Sequence, residues 1–354
     1  WIAAFFGITA SGCVAVCVDV EQPVVTITDM ILQADTKLAL ISQSIVEAVA
    51  PTLMQAGVQV AVMGTQSQSY ASFSSMCEQG RKETINAEQR VLQVPISKDQ
   101  TAVIAFTSGT TSRAKPVMLS HYGMVRNASE SVAMVQSAPR VFTALPFYHT
   151  YGLTCCVMCE LISGTHLGIN GDLKRMARDL QLFGPEIMMT VPLMTEEIYK
   201  RIMFAVEKAG KKKQVQGLLK LHAFCYRLGY RGSFRALRRA KEQGLGQLRE
   251  MICGGAYLPK HVAQVLLAFG ILVLEGYGIT ECSPLIAVNR EASCRFGSVG
   301  HVLPSFTCKF VEDEIVVRGP SVMQGYYKDA QATAQVLRDG WFHTGDLGYL
   351  DRRG

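Results

Sequence analysis

Along most of the chain, short runs of apolar and β-branched residues alternate with longer stretches in which apolar positions recur every three or four residues. A period near two reads as strand and a period near 3.6 as helix, so the pattern predicts strands and helices in turn. Strands are expected at Leu38–Ile41, Gln59–Met63, Thr101–Phe106, Val141–Leu145, Thr165–Ile169, Glu186–Val191, Leu248–Cys253 and Ile271–Leu274. Most are followed by a helical stretch, the first of which runs to about Ala56. That alternation is the βαβ signature of parallel sheets covered by helices. Beyond about Asn289 the texture changes to short strands and glycine turns (FGSVGHVLP, then EIVVRG). The fold class expected is therefore α/β: two packed parallel-sheet βαβ subdomains with a small, distorted β-barrel-like subdomain at the C-terminal end. The expected division is 1–145, 146–289 and 290–354, without internal repeats or low-complexity linkers.

Residues Trp1 to Val18 carry no charge, a length that a membrane span could use. Gly7, Thr9, Ser11 and Gly12 interrupt the run and no basic segment precedes it, so it reads as a buried helix end, a turn and a strand from Cys13 to Val18. Hydrophobic residues make up 49% of the chain and charged residues 18%, which excludes a disordered or coiled-coil chain. Eleven cysteines, an odd number without a regular framework, suit a reducing compartment. Cys155, Cys156 and Cys159 sit in an apolar stretch with no histidine at zinc spacing, and core packing is the expected role.

The net charge of +6 is unevenly spread. Between Lys200 and Arg249 stand fourteen Lys/Arg against Glu207 and Glu242, a local +12 that leaves −6 on the rest. Such a segment suggests an anionic partner.

Three stretches offer nucleotide ligands. In TAVIAFTSGTTSRAKPVMLSH (101–121) a strand enters a loop of hydroxyl residues and glycine with one lysine, then a helix near Ser120. Thr107, Ser108, Gly109, Thr110 and Thr111 could wrap phosphates while Lys115 neutralises them, although the Walker spacing is absent and a plain polar turn is the alternative. In EGYGITE (275–281), Tyr277 between glycines Gly276 and Gly278 offers a ring for stacking, Thr280 a hydroxyl for a phosphate and Glu281 a carboxylate for Mg²⁺. A solvated acid or a cap is the alternative for Glu281. In GWFHTGDLGYLD (340–351), Asp346 in a Thr-Gly-Asp turn could accept both hydroxyls of a ribose, or close an Asx-turn.

Taken together with LPFYHTYG, ICGGA and EIVVRGPSVMQGYY, these stretches resemble, in order, the motifs of the AMP-forming adenylating superfamily, which includes acyl-CoA synthetases, luciferases and peptide-synthetase adenylation domains. The resemblance implies that Thr107, Ser108, Thr110, Thr111 and Lys115 hold the β- and γ-phosphates of ATP, that Gly254, Gly255 and Ala256 line the adenine, and that Tyr277 stacks on it. It implies further that Thr280 contacts the α-phosphate, Glu281 ligates Mg²⁺, Asp346 binds the ribose, and His149 lies beside the acyl carboxylate and the thiol path. In that family a carboxylate attacks the α-phosphate to give acyl-AMP and pyrophosphate, and the thiol of coenzyme A then displaces AMP.

The region LPFYHTYG carries no acid for a substrate amine, which disfavours amino acids. The segment Lys200–Arg249 resembles the basic helical insertion of long-chain fatty acyl-CoA synthetases. Leu218, Leu219, Phe224 and Leu228 among Lys220, Arg227 and Arg231 would suit helices on an anionic membrane surface, with solvated helices as the alternative. Nucleic acid is not an expected partner, since no groove-reading or aromatic-interleaved motif accompanies the charge. The chain is thus expected to be the large domain of a cytoplasmic fatty acyl-CoA synthetase, peripheral at the inner membrane face, using ATP, Mg²⁺ and coenzyme A on a fatty acid. The small C-terminal lid domain is expected to be absent, which would leave this fragment weakly active or inactive alone. A fatty acyl-AMP or acyl-acyl-carrier-protein ligase is the alternative that shares every nucleotide residue, and a non-catalytic acyl-nucleotide or membrane-binding module is a third reading. The last is motivated by Ser112, Ala114 and Pro116, which stand where the family has Gly, Pro and Gly. Pro116 removes an N–H and fixes φ, and Ser112 resists positive φ, so the loop is expected to close less readily over a triphosphate.

Overall fold

The computed structural model describes residues 1–64, 69–82, 87–107 and 114–352. The chain forms two compact units: Trp1–Met124 with Ser321–His343, and Val125–Pro320 with Thr344 onward. This grouping cuts the chain elsewhere than the expected division at 145 and 289, because the segment Ser321–His343 returns to the first unit.

In the first unit, Leu38–Ser42, Gln59–Met63 and Ala71–Ser72 form a parallel three-stranded sheet. Helix Val46–Gln55 places Val46, Val49, Ala50 and Leu53, spaced three and four residues apart, on one buried face. These side chains close a core with Ile27, Ile31, Ile41 and Val62. A second sheet runs Ala15–Cys17, Thr101–Phe106, Pro116–Ser120, Gly325–Tyr326. The loop after Thr101–Phe106 does not lead straight into a helix. Pro116–Ser120 folds back antiparallel to Thr101–Phe106, and the helix His121–Met134 begins only after it. The alternation Val117, Leu119 buried and Met118, Ser120 half-buried is the strand period that drives this.

The second unit is built on a seven-stranded sheet in the order His301–Val302, Leu285–Val288, Leu272–Gly278, Glu250–Cys253, Ile187–Thr190, Arg140–Thr143, His166–Ile169. Its last five members are parallel and follow the doubly wound order 2-1-3-4-5, counted along the chain from Arg140. The core against them includes Phe142, Met188, Ile198, Met251, Leu266 and Val273. Leu272–Gly278 runs on past the expected end at Leu274, because the antiparallel strand Leu285–Val288 pairs with Gly276, Tyr277 and Gly278 across a bulge. Thr307–Val311 and Glu314–Arg318 form a hairpin whose two turn residues, Glu312 and Asp313, both have positive φ, as a tight type I′ connection requires. These C-terminal strands form open sheet, and no barrel closes among the described residues.

No helix among the described residues is long and apolar enough to cross a membrane. Trp1–Val18 resolves into helix Ile2–Ala10, a turn, and strand Ala15–Cys17.

Candidate nucleotide site

In a doubly wound sheet, ligands meet the carboxyl ends of the strands near the point where strand order reverses. Here that point lies between Arg140–Thr143 and Ile187–Thr190. His149 and Tyr151 follow the first of these strands, Gly254–Ala256 follow Glu250–Cys253, and Tyr277 stands at the end of Leu272–Gly278. Most of the expected site residues of the second unit thus leave the sheet at one end.

Beyond Arg140–Thr143 the chain winds into a π-helix, Tyr151–Met158, a form rare enough to mark functional positions. His149 sits one turn ahead, half-buried, its carbonyl accepting the Leu153 N–H at 2.9 Å and its ring 4.6 Å from that of Tyr148. The Tyr151 hydroxyl lies 2.9 Å from the Ile252 carbonyl and 3.2 Å from that of Thr190, so one phenol ties the ends of two neighbouring strands. Its ring also backs Gly254, where an added Cβ would come within 3.5 Å of it. Burial pushes the Tyr151 phenol far above its ordinary range, so it stays a neutral donor. Cys155 and Cys156 pack into the core with Leu145, Ile187 and Met189, and Cys159 is buried next to them in sequence, in the role expected of them.

Tyr277 and Asp346, 69 residues apart, are joined: the phenol donates to Asp346 Oδ2 at 2.7 Å. Burial, then this bond to a carboxylate, holds the Tyr277 phenol well above its ordinary range. Asp346 is exposed and lies in the strand Trp341–Leu347, kinked where Gly345 takes φ +74°. The kink is stabilised on three sides. Thr344 Oγ1 donates to the Ile315 carbonyl at 2.7 Å, the Gly345 N–H donates to Glu314 Oε1 at 2.9 Å, and the Asp346 N–H donates to Thr344 Oγ1 at 3.1 Å. The result is a half-buried aromatic ring and a solvent-facing carboxylate held side by side.

Thr280 and Glu281 belong to a short 3₁₀ turn, Thr280–Cys282, and both are half-buried. The turn is anchored by Asn127, fully buried on helix His121–Met134. Its Nδ2 donates to the carbonyls of Cys282 (3.1 Å) and Leu285 (2.7 Å), and its Oδ1 accepts the Leu285 N–H at 3.2 Å. Before the turn, Gly278 approaches Pro284 so closely that a Cβ would lie 2.3 Å from its carbonyl oxygen, which leaves glycine as the residue that fits. Neither Asn127 nor Tyr151 is marked by the sequence pattern. A single Asn or Tyr within an apolar pattern has no spacing signature, and their partners lie more than a hundred residues away in Cys282, Leu285 and Ile252.

Mg²⁺ carried by nucleotide phosphates usually needs only one or two protein carboxylates. The single half-buried Glu281 beside the Thr280 hydroxyl fits that demand, and no group of three His, Cys, Asp or Glu suited to a metal occurs among the described residues.

In the first unit, Thr107 and Lys115 flank the expected phosphate loop. Thr107 N–H donates to the Lys115 carbonyl at 3.1 Å, and Lys115 N–H to Thr107 Oγ1 at 3.2 Å. The Lys115 ammonium stands 4.8 Å from the centre of the Tyr326 ring. Ser108, Gly109, Thr110, Thr111 and Ser112 lie outside the described residues. Pro116 is the buried first residue of its strand, a position where a missing N–H is tolerated, and Ala114 packs beside Ile104 and Phe106.

The family model for AMP-binding enzymes matches residues 1–327. The chain belongs to that family. Long-chain-fatty-acid–CoA ligase 1 of Cavia porcellus is 30% identical over 321 residues, which cover 78% of this chain and 45% of that protein. Long-chain-fatty-acid–[acyl-carrier-protein] ligase AEE15, chloroplastic, of Arabidopsis thaliana is 29% identical over 319 residues, covering 72% and 42%. The chain spans less than half the length of these relatives. Among solved structures, the anthranilate CoA ligase AuaEII in complex with anthranoyl-AMP superposes with a TM-score of 0.75 at 17% identity, over 100% of this chain and 64% of that one. VinN with L-aspartate does so at 0.75 and 24%, over 100% and 80%. These likenesses carry the mixed α/β fold with parallel sheets, as the sequence pattern leads one to expect.

Proposed function

We propose that this chain is the nucleotide-handling part of an adenylate-forming ligase that joins a fatty acid to AMP and passes the acyl group to coenzyme A. The observation that carries the reading is the hydrogen bond from Tyr277 to Asp346, which holds a ring suited to adenine beside a carboxylate suited to both ribose hydroxyls. On this reading Gly254, Gly255 and Ala256 line the base, the Thr280 hydroxyl meets the α-phosphate, and Thr107, Ser108, Gly109, Thr110, Thr111 and Lys115 meet the β- and γ-phosphates. Gly278 lets the turn approach its neighbour, and His149 stands beside the acyl carboxylate. Glu281 would hold Mg²⁺, which when bound offsets charge on the phosphates. Catalysis then consists of orienting a carboxylate for in-line attack on the α-phosphate and neutralising the charge that develops. Acids of the fatty class are supported by the ligase relatives and by the absence of an acidic residue in Leu145–Gly152 to grip a substrate amine. The basic stretch Lys200–Arg249 would meet the anionic membrane surface where such acids partition.

Calorimetric titration of the chain with two non-hydrolysable acyl-adenylate mimics, one long-chain and one acetyl, tests this. The long-chain mimic is expected to bind at least about tenfold more tightly, and Asp346→Ala to weaken both by about tenfold or more, as loss of charged hydrogen bonds does. Equal binding of the two would overturn the fatty-acid class, and binding of neither would overturn the nucleotide site.

A further inference from the structure

Helix Lys212–Arg227 has two faces of different chemistry. Inward, Val215 and His222 are buried, and Leu218 and Leu219 pack on a cluster of Val206, Leu237, Ala268 and Phe269. The His222 Nε2 lies 2.8 Å from the Gly232 carbonyl. This overturns the expectation that Leu218 and Leu219 serve a membrane, because the fold itself uses them. Outward, Leu221, Phe224 and Leu228 are 51, 59 and 74% exposed. Their spacing of three and four residues puts them within about 60° of arc on a helix of 3.6 residues per turn.

A second row runs beside them. Lys213, Lys220 and Arg227 recur every seven residues, all exposed, in the next roughly 40° of the same surface. Three other cations nearby are paired: Lys212 with Glu207 at 2.6 Å, Arg201 with Glu197 at 2.9 Å and Lys200 with Glu196 at 3.9 Å. No ion pair among the described residues engages Lys213, Lys220 or Arg227. Isolated exposed leucines need no explanation, but an apolar stripe flanked by a row of uncommitted cations has the two components of an interfacial helix.

We infer that this outer face docks on a lipid bilayer carrying anionic head groups, with Leu221, Phe224 and Leu228 entering the boundary of head groups and acyl chains and Lys213, Lys220 and Arg227 meeting the phosphates. Charge complementarity selects that occupant. The segment is strongly positive on a chain whose remainder is negative, so an anionic surface both attracts this face and turns the rest away. The inference rests on the membrane-surface part of the proposed function and leaves the identity of the nucleotide site untouched.

Co-sedimentation of the chain with phosphatidylcholine vesicles, with and without about 30% phosphatidylglycerol, is the test. Strong partition onto the anionic vesicles alone is expected, weakened by salt. Replacing Leu221, Phe224 and Leu228 together by Ser should lower partition at least about tenfold, and replacing Lys213, Lys220 and Arg227 together by Gln should lower it by about a hundredfold, since each cation near an anionic surface contributes about fivefold. Binding of the acyl-adenylate mimics should be unchanged in both. Unchanged partition in either variant, or equal partition onto neutral vesicles, would overturn the docking face. So would a wild-type dimer in sedimentation velocity that the Ser variant loses without any vesicle binding, which would assign the face to a second copy. Loss of mimic binding in the wild type would instead count against the nucleotide reading and leave this one standing.

Discussion

The turn that carries Thr280 and Glu281 and the outer face of helix Lys212–Arg227 belong to the same unit, and they are held by opposite means. The turn depends on a fully buried Asn127 making three hydrogen bonds and on a glycine with no room for a methyl group. The helix is fixed by its inner face alone, and its outer side chains reach into solvent. In the first region the residues proposed for chemistry are tied to stability; in the second the residues proposed for docking are not. Substitutions should therefore sort by region rather than by residue type.

The largest effect is expected at Asn127→Ala, which strands the carbonyls of Cys282 and Leu285 and the Leu285 N–H. Denaturant unfolding should show a loss of about 3 kcal/mol, and mimic affinity should fall with it. A loss of stability with affinity intact would separate the turn from the site and break the comparison.

A second probe lies at the far end of the strand that leads to Gly254. Glu250 is 1% exposed, and burial, then the neighbouring Glu291, pushes its carboxyl up to about 9, while Arg249 pulls the other way. A folded pKa above the unfolded value means the contribution to stability is fully present below the ordinary carboxyl range and is lost as pH rises through about 9. Glu250→Gln should thus differ little from wild type in stability at pH 4 and become progressively more stable than wild type as pH rises towards about 9, measured as melting temperature against pH. Parallel pH profiles of the two proteins would refute the buried acid.

The smallest effect is expected for the joint Ser replacement of Leu221, Phe224 and Leu228. Stability should change by no more than about 0.5 kcal/mol per site, because exposed side chains add little to folding. A larger change would show that the fold, and not a partner, needs this face.

Much of the architecture was legible from local pattern. Gln59–Met63 and Thr101–Phe106 form strands with the expected bounds, since short apolar runs between turn residues leave few other choices. Pro116–Ser120 is too short to stand apart from the loop before it by local pattern, and its pairing with Thr101–Phe106 makes it strand. The extension to Gly278 came from an antiparallel neighbour whose partnership no local signal carries. Site motifs were readable as strings, but their bracing was not. Asn127, Tyr151 and Glu314 act on residues far along the chain, and contact at that separation is a property of the sheet. The inward turn of Leu218 and Leu219 likewise depends on what helix Lys212–Arg227 packs against.

The return of the chain to the first unit over Ser321–His343, and its departure again at Thr344, has a bearing on modularity. Neither unit corresponds to one uninterrupted stretch of coding sequence. A recombination event that transplanted Val125–Pro320 as a block would carry Tyr277 without Asp346, delivering the ring without the carboxylate that its phenol holds. Shuffling of substrate specificity in such a protein is therefore constrained to exchange smaller pieces, single strand ends and their loops, with the crossing segment left in place.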